Sequence, residues 1–187
     1  MQAHRADPQC GLTLVELLVA VAIMGIVLTL AVPAFNDLIA RERLRGTHAQ
    51  LLADLKYARS EAVQRNEAVR IDFRSSTTMV CYSIYAVASG GMCNCLLGSE
   101  QCLAGPYGAS LPLLKLVQLP LSRGVALSTN AASVTVDPTR AAHSRALTIT
   151  LTSARGSQLV TTVSDRGLAS TCSPDASMSG VPACATP

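Results

Sequence analysis

The sequence has no tryptophan, two phenylalanines and only three histidines. His4 lies close to the N-terminus, and nothing places a serine or an aspartate beside His143. A glycine-rich phosphate loop, a Gly-x-Ser-x-Gly elbow, a His-Glu-x-x-His zinc motif and a Gly-x-Gly-x-x-Gly fingerprint are all absent. These absences exclude the common nucleotide-hydrolysing, acyl-transfer, metalloprotease and dinucleotide-dependent enzymes. No catalytic residue and no cofactor is assigned, and the chain is expected not to be an enzyme. Charge is also sparse, at 14% of residues, with a net of +3. That excess falls entirely within residues 69–187, and it is far from the strong basic patch of a dedicated nucleic-acid binder. The opening residues are short and polar and lack the apolar core of a secretory signal.

What is present is one long apolar run. From Leu17 to Asn36 no residue is charged, which makes 20 residues. As a helix these would span about 30 Å, the thickness of a bilayer core. Glu16 stands at its start. A carboxylate costs about 2.5 kcal/mol or more near the membrane centre and less near the surface, so a plain anchor has no use for one there. Beyond the run come Arg41, Arg43 and Arg45, whereas Arg5 is the only basic residue before it. Loop charge alone would keep the arginine-rich side in the cytoplasm.

Gly11-Leu12-Thr13-Leu14-Val15-Glu16-Leu17-Leu18 resembles the processing site of type IV prepilins and type II secretion pseudopilins. The resemblance implies cleavage between Gly11 and Leu12 by a membrane prepilin peptidase, N-methylation of Leu12, and Glu16 as fifth residue of the mature chain. Leucine stands at position 12 where phenylalanine is usual. Pro33 matches the proline that commonly kinks the family's helix, and it lacks the backbone donor a straight helix needs. The resemblance also sets the leader in the cytoplasm, against the loop charge.

Four segments follow: residues 1–11 as a cleaved leader, 12–38 as a transmembrane helix, 39–66 as its amphipathic continuation, and 67–187 as a β-rich head. Leu44, His48, Leu51, Leu55, Ala58 and Ala62 recur at spacings of four and three and form one helical stripe. Arg41, Glu42, Arg45, Asp54, Arg59, Glu61 and Arg65 are expected mostly off it. His48 reads as a partly buried helix residue rather than a ligand. Ala58-Arg59-Ser60-Glu61-Ala62, then Arg65-Asn66, resemble the helix end of the FimT/GspH branch. Asn66 suits the left-handed geometry of a helix C-terminus, and Arg65 suits the negative end of its dipole. Glu61 is expected to be solvated, and Arg59 to be available for a salt bridge to the head.

From Val69 the period changes to two. Val69, Ile71 and Phe73 alternate with Arg70, Asp72 and Arg74. Further strands are expected over 77–87, 113–119, 125–129, 133–136, 146–152 and 158–164. Residues 89–110 read as a Gly/Cys/Ser-rich loop, long enough to need staples. One long helix followed by many short strands predicts an α+β, pilin-like fold with an antiparallel, sandwich-like head.

Removal of Cys10 with the leader would leave Cys81, Cys93, Cys95, Cys102, Cys172 and Cys184. An even number points to disulfides in an oxidising compartment, with the pairing open and Cys81 able to reach any of the three loop cysteines. The Cys-x-Cys spacing with no histidine nearby fits no usual zinc site, and no metal is assigned. Cys172 and Cys184, with 11 residues between them, resemble the disulfide-closed tail loop of many pilins.

The resemblance implies a minor pilin that primes or caps a type IV pilus. Its mature form would wait in the bacterial inner membrane with its head in the periplasm. Its partners would be the peptidase, membrane lipid and other pilins or pseudopilins, with Glu16 neutralising a neighbour's N-terminal ammonium in the filament core. The alternatives are the corresponding pseudopilin of a type II secretion system and a DNA-binding pilin of natural transformation. Some FimT-type pilins bind DNA through Gly-Arg-x-Arg shortly before a cysteine. Here the glycine is Gly167, but Leu168 and Ser170 stand at the arginine positions and only Arg166 remains, so DNA binding is expected to be weak or absent.

Overall fold

The computed structural model describes residues 13–87, 92–98, 102–103 and 112–185, without the side chains of 30–34 and 102–103. The Gly11–Leu12 cut site, Gly90-Gly91, Gly105-Pro106 and the side chains of Pro33 and Cys102 lie outside that description. Two compact units divide the chain, the first through Leu38 and the second Ile39–Pro187.

Helix α1 runs Leu14–Arg65 and stays helical through Pro33. Its first turn is capped by a side chain that the spacing of apolar residues does not reveal. Thr13 precedes the helix, and its Oγ1 accepts the Glu16 amide at 3.3 Å. Thr-x-x-Glu ahead of an apolar run is the signal that would have found it. In the first unit the described apolar side chains are exposed all round, from Leu14 at 77% to Met24 at 68% and Leu28 at 62%. Among the described residues no helix is long and apolar enough to cross a membrane.

The helix ends by local chemistry. Asn66 takes φ 52, the left-handed conformation asparagine tolerates, and the Glu67 amide donates back to the Ala62 carbonyl at 3.2 Å. Arg65 binds Glu61 at 2.6 Å. Glu61 is mostly covered by that pair, its side chain only 15% exposed, rather than solvated as expected.

Among the described residues ten strands follow: β1 Val69–Ser75, β2 Met79–Ala86, β3 Met92–Cys93, β4 Cys102–Leu103, β5 Leu113–Pro120, β6 Val125–Thr129, β7 Ser133–Val136, β8 Leu147–Ser153, β9 Gln158–Val163 and β10 Ala169–Cys172. They form two antiparallel four-stranded sheets, ordered β5-β2-β1-β7 and β10-β9-β8-β6, and a two-stranded ribbon of β3 and β4. Leu44, Leu51, Leu55, Ala58 and Ala62 of the helix share one core with both sheets. Strand alternation sets the inward faces: Ile71 and Phe73 on β1, Leu147, Ile149 and Leu151 on β8, Leu159 and Val163 on β9. Each leucine so buried contributes roughly 1.5–3 kcal/mol. The second unit is thus an α+β fold, a helix packed on antiparallel sheets.

Strand β2 departs from simple alternation, because it is buried on both faces. Val80, Tyr82 and Ile84 enter the main core. Cys81, Ser83 and Tyr85 point the other way and are buried as well. Their cover comes from the segment expected to be all loop. Cys95, in a one-turn helix capped by Asn94, is bonded to Cys81. Gln118 Nε2 donates to the Cys95 carbonyl at 2.7 Å, and Tyr85 packs with Cys93, Val87 and Leu113. Asp72, expected on the solvated side of β1, is 3% exposed beneath this cover. The Tyr85 hydroxyl donates to it at 2.7 Å and Arg70 pairs with it at 3.2 Å.

Candidate assembly and binding sites

Of the residues singled out for assembly, only Glu16 has a described side chain. It lies exposed in the first turn of α1, where the positive end of the helix dipole favours a carboxylate. Gly11 and Leu12 fall outside the described residues, and Pro33 has only its backbone described.

The four cysteines Cys81, Cys95, Cys172 and Cys184 form two disulfides, Cys81–Cys95 and Cys172–Cys184. Cys93 is disulfide-bonded too, and the ribbon sets its backbone opposite that of Cys102. Among the described residues no group of His, Cys, Asp and Glu could hold a metal ion. The Cys172–Cys184 loop is fastened elsewhere as well. The Arg45 guanidinium donates to the Ser179 carbonyl and hydroxyl at 2.9 and 2.7 Å, and buried Met178 enters the core.

The inner face of the helix holds two polar contacts. His48 Nε2 lies 2.8 Å from the Thr161 hydroxyl and 3.2 Å from that of Thr171, joining the helix to β9 and β10. Burial holds its pKa below the ordinary histidine value. Asp54 corrects the sequence reading, for it is 3% exposed instead of lying off the stripe. The Tyr82 hydroxyl donates to one carboxylate oxygen at 2.7 Å, and Lys115 Nζ to the other at 2.5 Å. Burial first, and the Asp54 carboxylate second, push the Tyr82 phenol well above its usual range. Asp54 follows Leu51 by three and precedes Ala58 by four, so its spacing already put it on the core face.

Arg59 makes no ion pair among the described residues, contrary to the salt bridge allowed for it. It lies under Gly167 instead. A Cβ there would sit 2.7 Å from Arg59 Nη1 and 3.4 Å from His143 Nε2, and Gly167 has φ +77. Glycine is therefore required by the left-handed backbone, while the close contact is with the far end of the flexible Arg59 side chain. Burial, then the Arg59 charge, lowers the His143 pKa. The next residues run along the surface: Arg166 and Ser170 are exposed, and Leu168 is 71% exposed. The turn therefore displays one guanidinium and a bare leucine where a phosphate-binding pair of arginines would stand.

The chain is similar to known proteins. The family model for type II transport protein GspH matches residues 48–167, and that for the prokaryotic N-terminal methylation motif matches residues 7–32. The type IV major fimbrial protein FimA of Dichelobacter nodosus is 40% identical over 73 residues, 38% of this chain and 44% of the relative. The chain thus spans under half the length of that curated relative. The crystal structure of the type IV minor pilin FimU of Pseudomonas aeruginosa (strain PAO1) aligns at 19% identity, with a TM-score of 0.48, over 69% of this chain and 87% of FimU. The GspH match takes in well over half of the residues, from His48 on the helix to Gly167 above Arg59, and the methylation motif lies ahead of it: the chain belongs to the GspH family, among the minor pilins and pseudopilins.

Proposed function

We propose that this chain is a minor subunit of a type IV pilus. A prepilin peptidase cuts it between Gly11 and Leu12, Leu12 is N-methylated, and the apolar first part of α1 anchors it in the inner membrane with the second unit in the periplasm. From there it enters the filament and primes or caps it. The observation that carries this reading is helix α1. Its first part exposes apolar side chains on every side, which water does not tolerate but lipid and neighbouring helices do. Glu16 is the acidic exception, positioned to meet a neighbour's N-terminal ammonium. Either charge alone in an apolar filament core is costly, and the pair is far less so.

The type IV fimbrial name of the 40% identical relative favours the pilus. The match to the type II transport family favours the second reading, a pseudopilin of a secretion system. Deleting the gene in the native host separates them, since the first reading expects lost surface pili and the second expects lost secretion of exported enzymes. The same strain tests the processing. The subunit in shed or purified filaments should begin at Leu12, and Gly11→Val should keep the leader. Glu16→Ala should insert in the membrane as well as the wild type yet be depleted from filaments. An intact Met1 on filament-borne subunit, or normal incorporation of Glu16→Ala, refutes the scheme.

A further inference from the structure

The arginines just beyond the apolar run are not explained by filament assembly, and they oppose the loop-charge rule. Arg45 is engaged by Ser179 and Glu42. Arg43 has a different setting. It lines a cleft of about 480 Å³ between the helix and the turn that joins β5 to β6. Thr47 and Gln50 share the helix side, and Ser122 and Arg123 stand across from them, over Val125. Thr47 gives its hydroxyl proton to the Arg43 carbonyl. The groups left to donate into the cleft are therefore the Gln50 amide, the Ser122 hydroxyl and two guanidiniums. Among the described residues neither Arg43 nor Arg123 has a hydrogen-bond or ion-pair partner, and no carboxylate lines the cleft.

We propose that this cleft binds a phosphate diester, and that its occupant is the headgroup of an anionic phospholipid. The chemistry follows from the donors. Guanidinium forks match phosphate oxygens in pairs, and two unpaired forks with neutral donors between them suit a group carrying one negative charge. The lipid source follows from position, and rests on the anchored reading above. Arg43 is seven residues past Asn36, where the uncharged run ends, so it belongs to the juxtamembrane stretch where basic side chains are drawn to anionic lipid. Exposed Arg41 adds to that attraction. Arg123, far away in sequence, makes the cleft a built site rather than a basic flank. Such a contact would hold the second unit on the bilayer surface before assembly and release it when the subunit is drawn into a filament.

The test uses the full chain in nanodiscs of phosphatidylcholine alone or mixed with phosphatidylglycerol, read by amide hydrogen exchange over residues 119–125. With phosphatidylglycerol at about ten times its dissociation constant, exchange there should slow about tenfold. Arg123→Ala should return it to the phosphatidylcholine rate, and Arg123→Lys should restore part of the protection. Arg123 is exposed, so thermal melting should not change. Equal exchange in both discs overturns the proposal, as does protection that survives Arg123→Ala. Millimolar inorganic phosphate giving the same protection in phosphatidylcholine discs overturns the lipid assignment in favour of a free anion. The N-terminal mass of the reconstituted chain reports separately on the pilin reading. A chain that begins at Leu12 but shows no protection loses the lipid site alone.

Discussion

Replacing Asp54 by alanine should destabilise the second unit by about 2–3 kcal/mol. The carboxylate is buried and accepts from Tyr82 and Lys115. Without it the Tyr82 hydroxyl, on a residue only 2% exposed, has lost its acceptor. A buried donor left unpaired costs about 1–3 kcal/mol. Lys115 adds less, because its side chain is 37% exposed and can turn to water, which discounts the ion pair to at most about 1 kcal/mol. Tyr82→Phe should cost about 1 kcal/mol, since Asp54 keeps Lys115. Asp54→Asn, which retains an oxygen acceptor, should cost less than Asp54→Ala. The decisive quantity is the double-mutant cycle. Phenylalanine at 82 has nothing to leave unpaired, so the double variant should be more stable than the sum of the single losses by about 1 kcal/mol. Urea unfolding of a chain beginning at Ile39, followed by far-ultraviolet circular dichroism, gives all four values. Additivity within about 0.3 kcal/mol would show that Tyr82 and Asp54 are not coupled, and the account of the helix–sheet contact would fail.

Replacing Cys172 and Cys184 together by serine should lower stability by about 3 kcal/mol, as expected for a sequence separation of 12; an unchanged urea midpoint would refute this. Acidity should weaken the fold through His48 and His143, whose pKa values are both lowered on folding. The unfolded chain then binds more protons than the folded one, so their contribution is complete above about pH 6.5 and is lost as pH falls through the lowered values. Urea midpoints at a series of pH values should show that fall, and His48→Gln should flatten part of it; a slope unchanged by the substitution counts against the assignment. The same unit should bind double-stranded DNA weakly or not at all near physiological salt, because Arg166 alone replaces a pair of arginines. A gel shift showing tight binding that Arg166→Gln abolishes would reverse that expectation.

The long helix, its end at Arg65, β1 and the strands from β5 to β9 were legible because their apolar residues repeat with the period of the element they form. Val69-Ile71-Phe73 and Leu147-Ile149-Leu151 are such runs. The ribbon of β3 and β4 was not, since strands of two residues carry no period. β10 was hidden in a tail of small polar residues, where backbone pairing to β9 rather than side-chain pattern makes the strand. Asp72 and Asp54 were both assigned to solvent by charge. A tyrosine from β2 donates to each, a partner that no local spacing announces, although the spacing of Asp54 from Leu51 and Ala58 already put it on the core face. At the candidate sites, sequence singled out Glu16, the cysteines and Gly167. The reason for Gly167, a backbone in the left-handed region, is not written in the spacing of its neighbours.

The two-sided burial of β2 bears on the timing of maturation. One side of this strand is sealed by the helix and the second sheet, which need no chemistry beyond folding. The other is sealed by a segment that the Cys81–Cys95 bond ties down. Wherever thiols stay reduced, that seal is held only by contacts such as Gln118 with Cys95, and Tyr85 and Asp72 lie one loosened segment from water. Oxidation then acts as a clock. A reduced subunit is an unfinished surface, and the Cys81–Cys95 bond completes its outer layer.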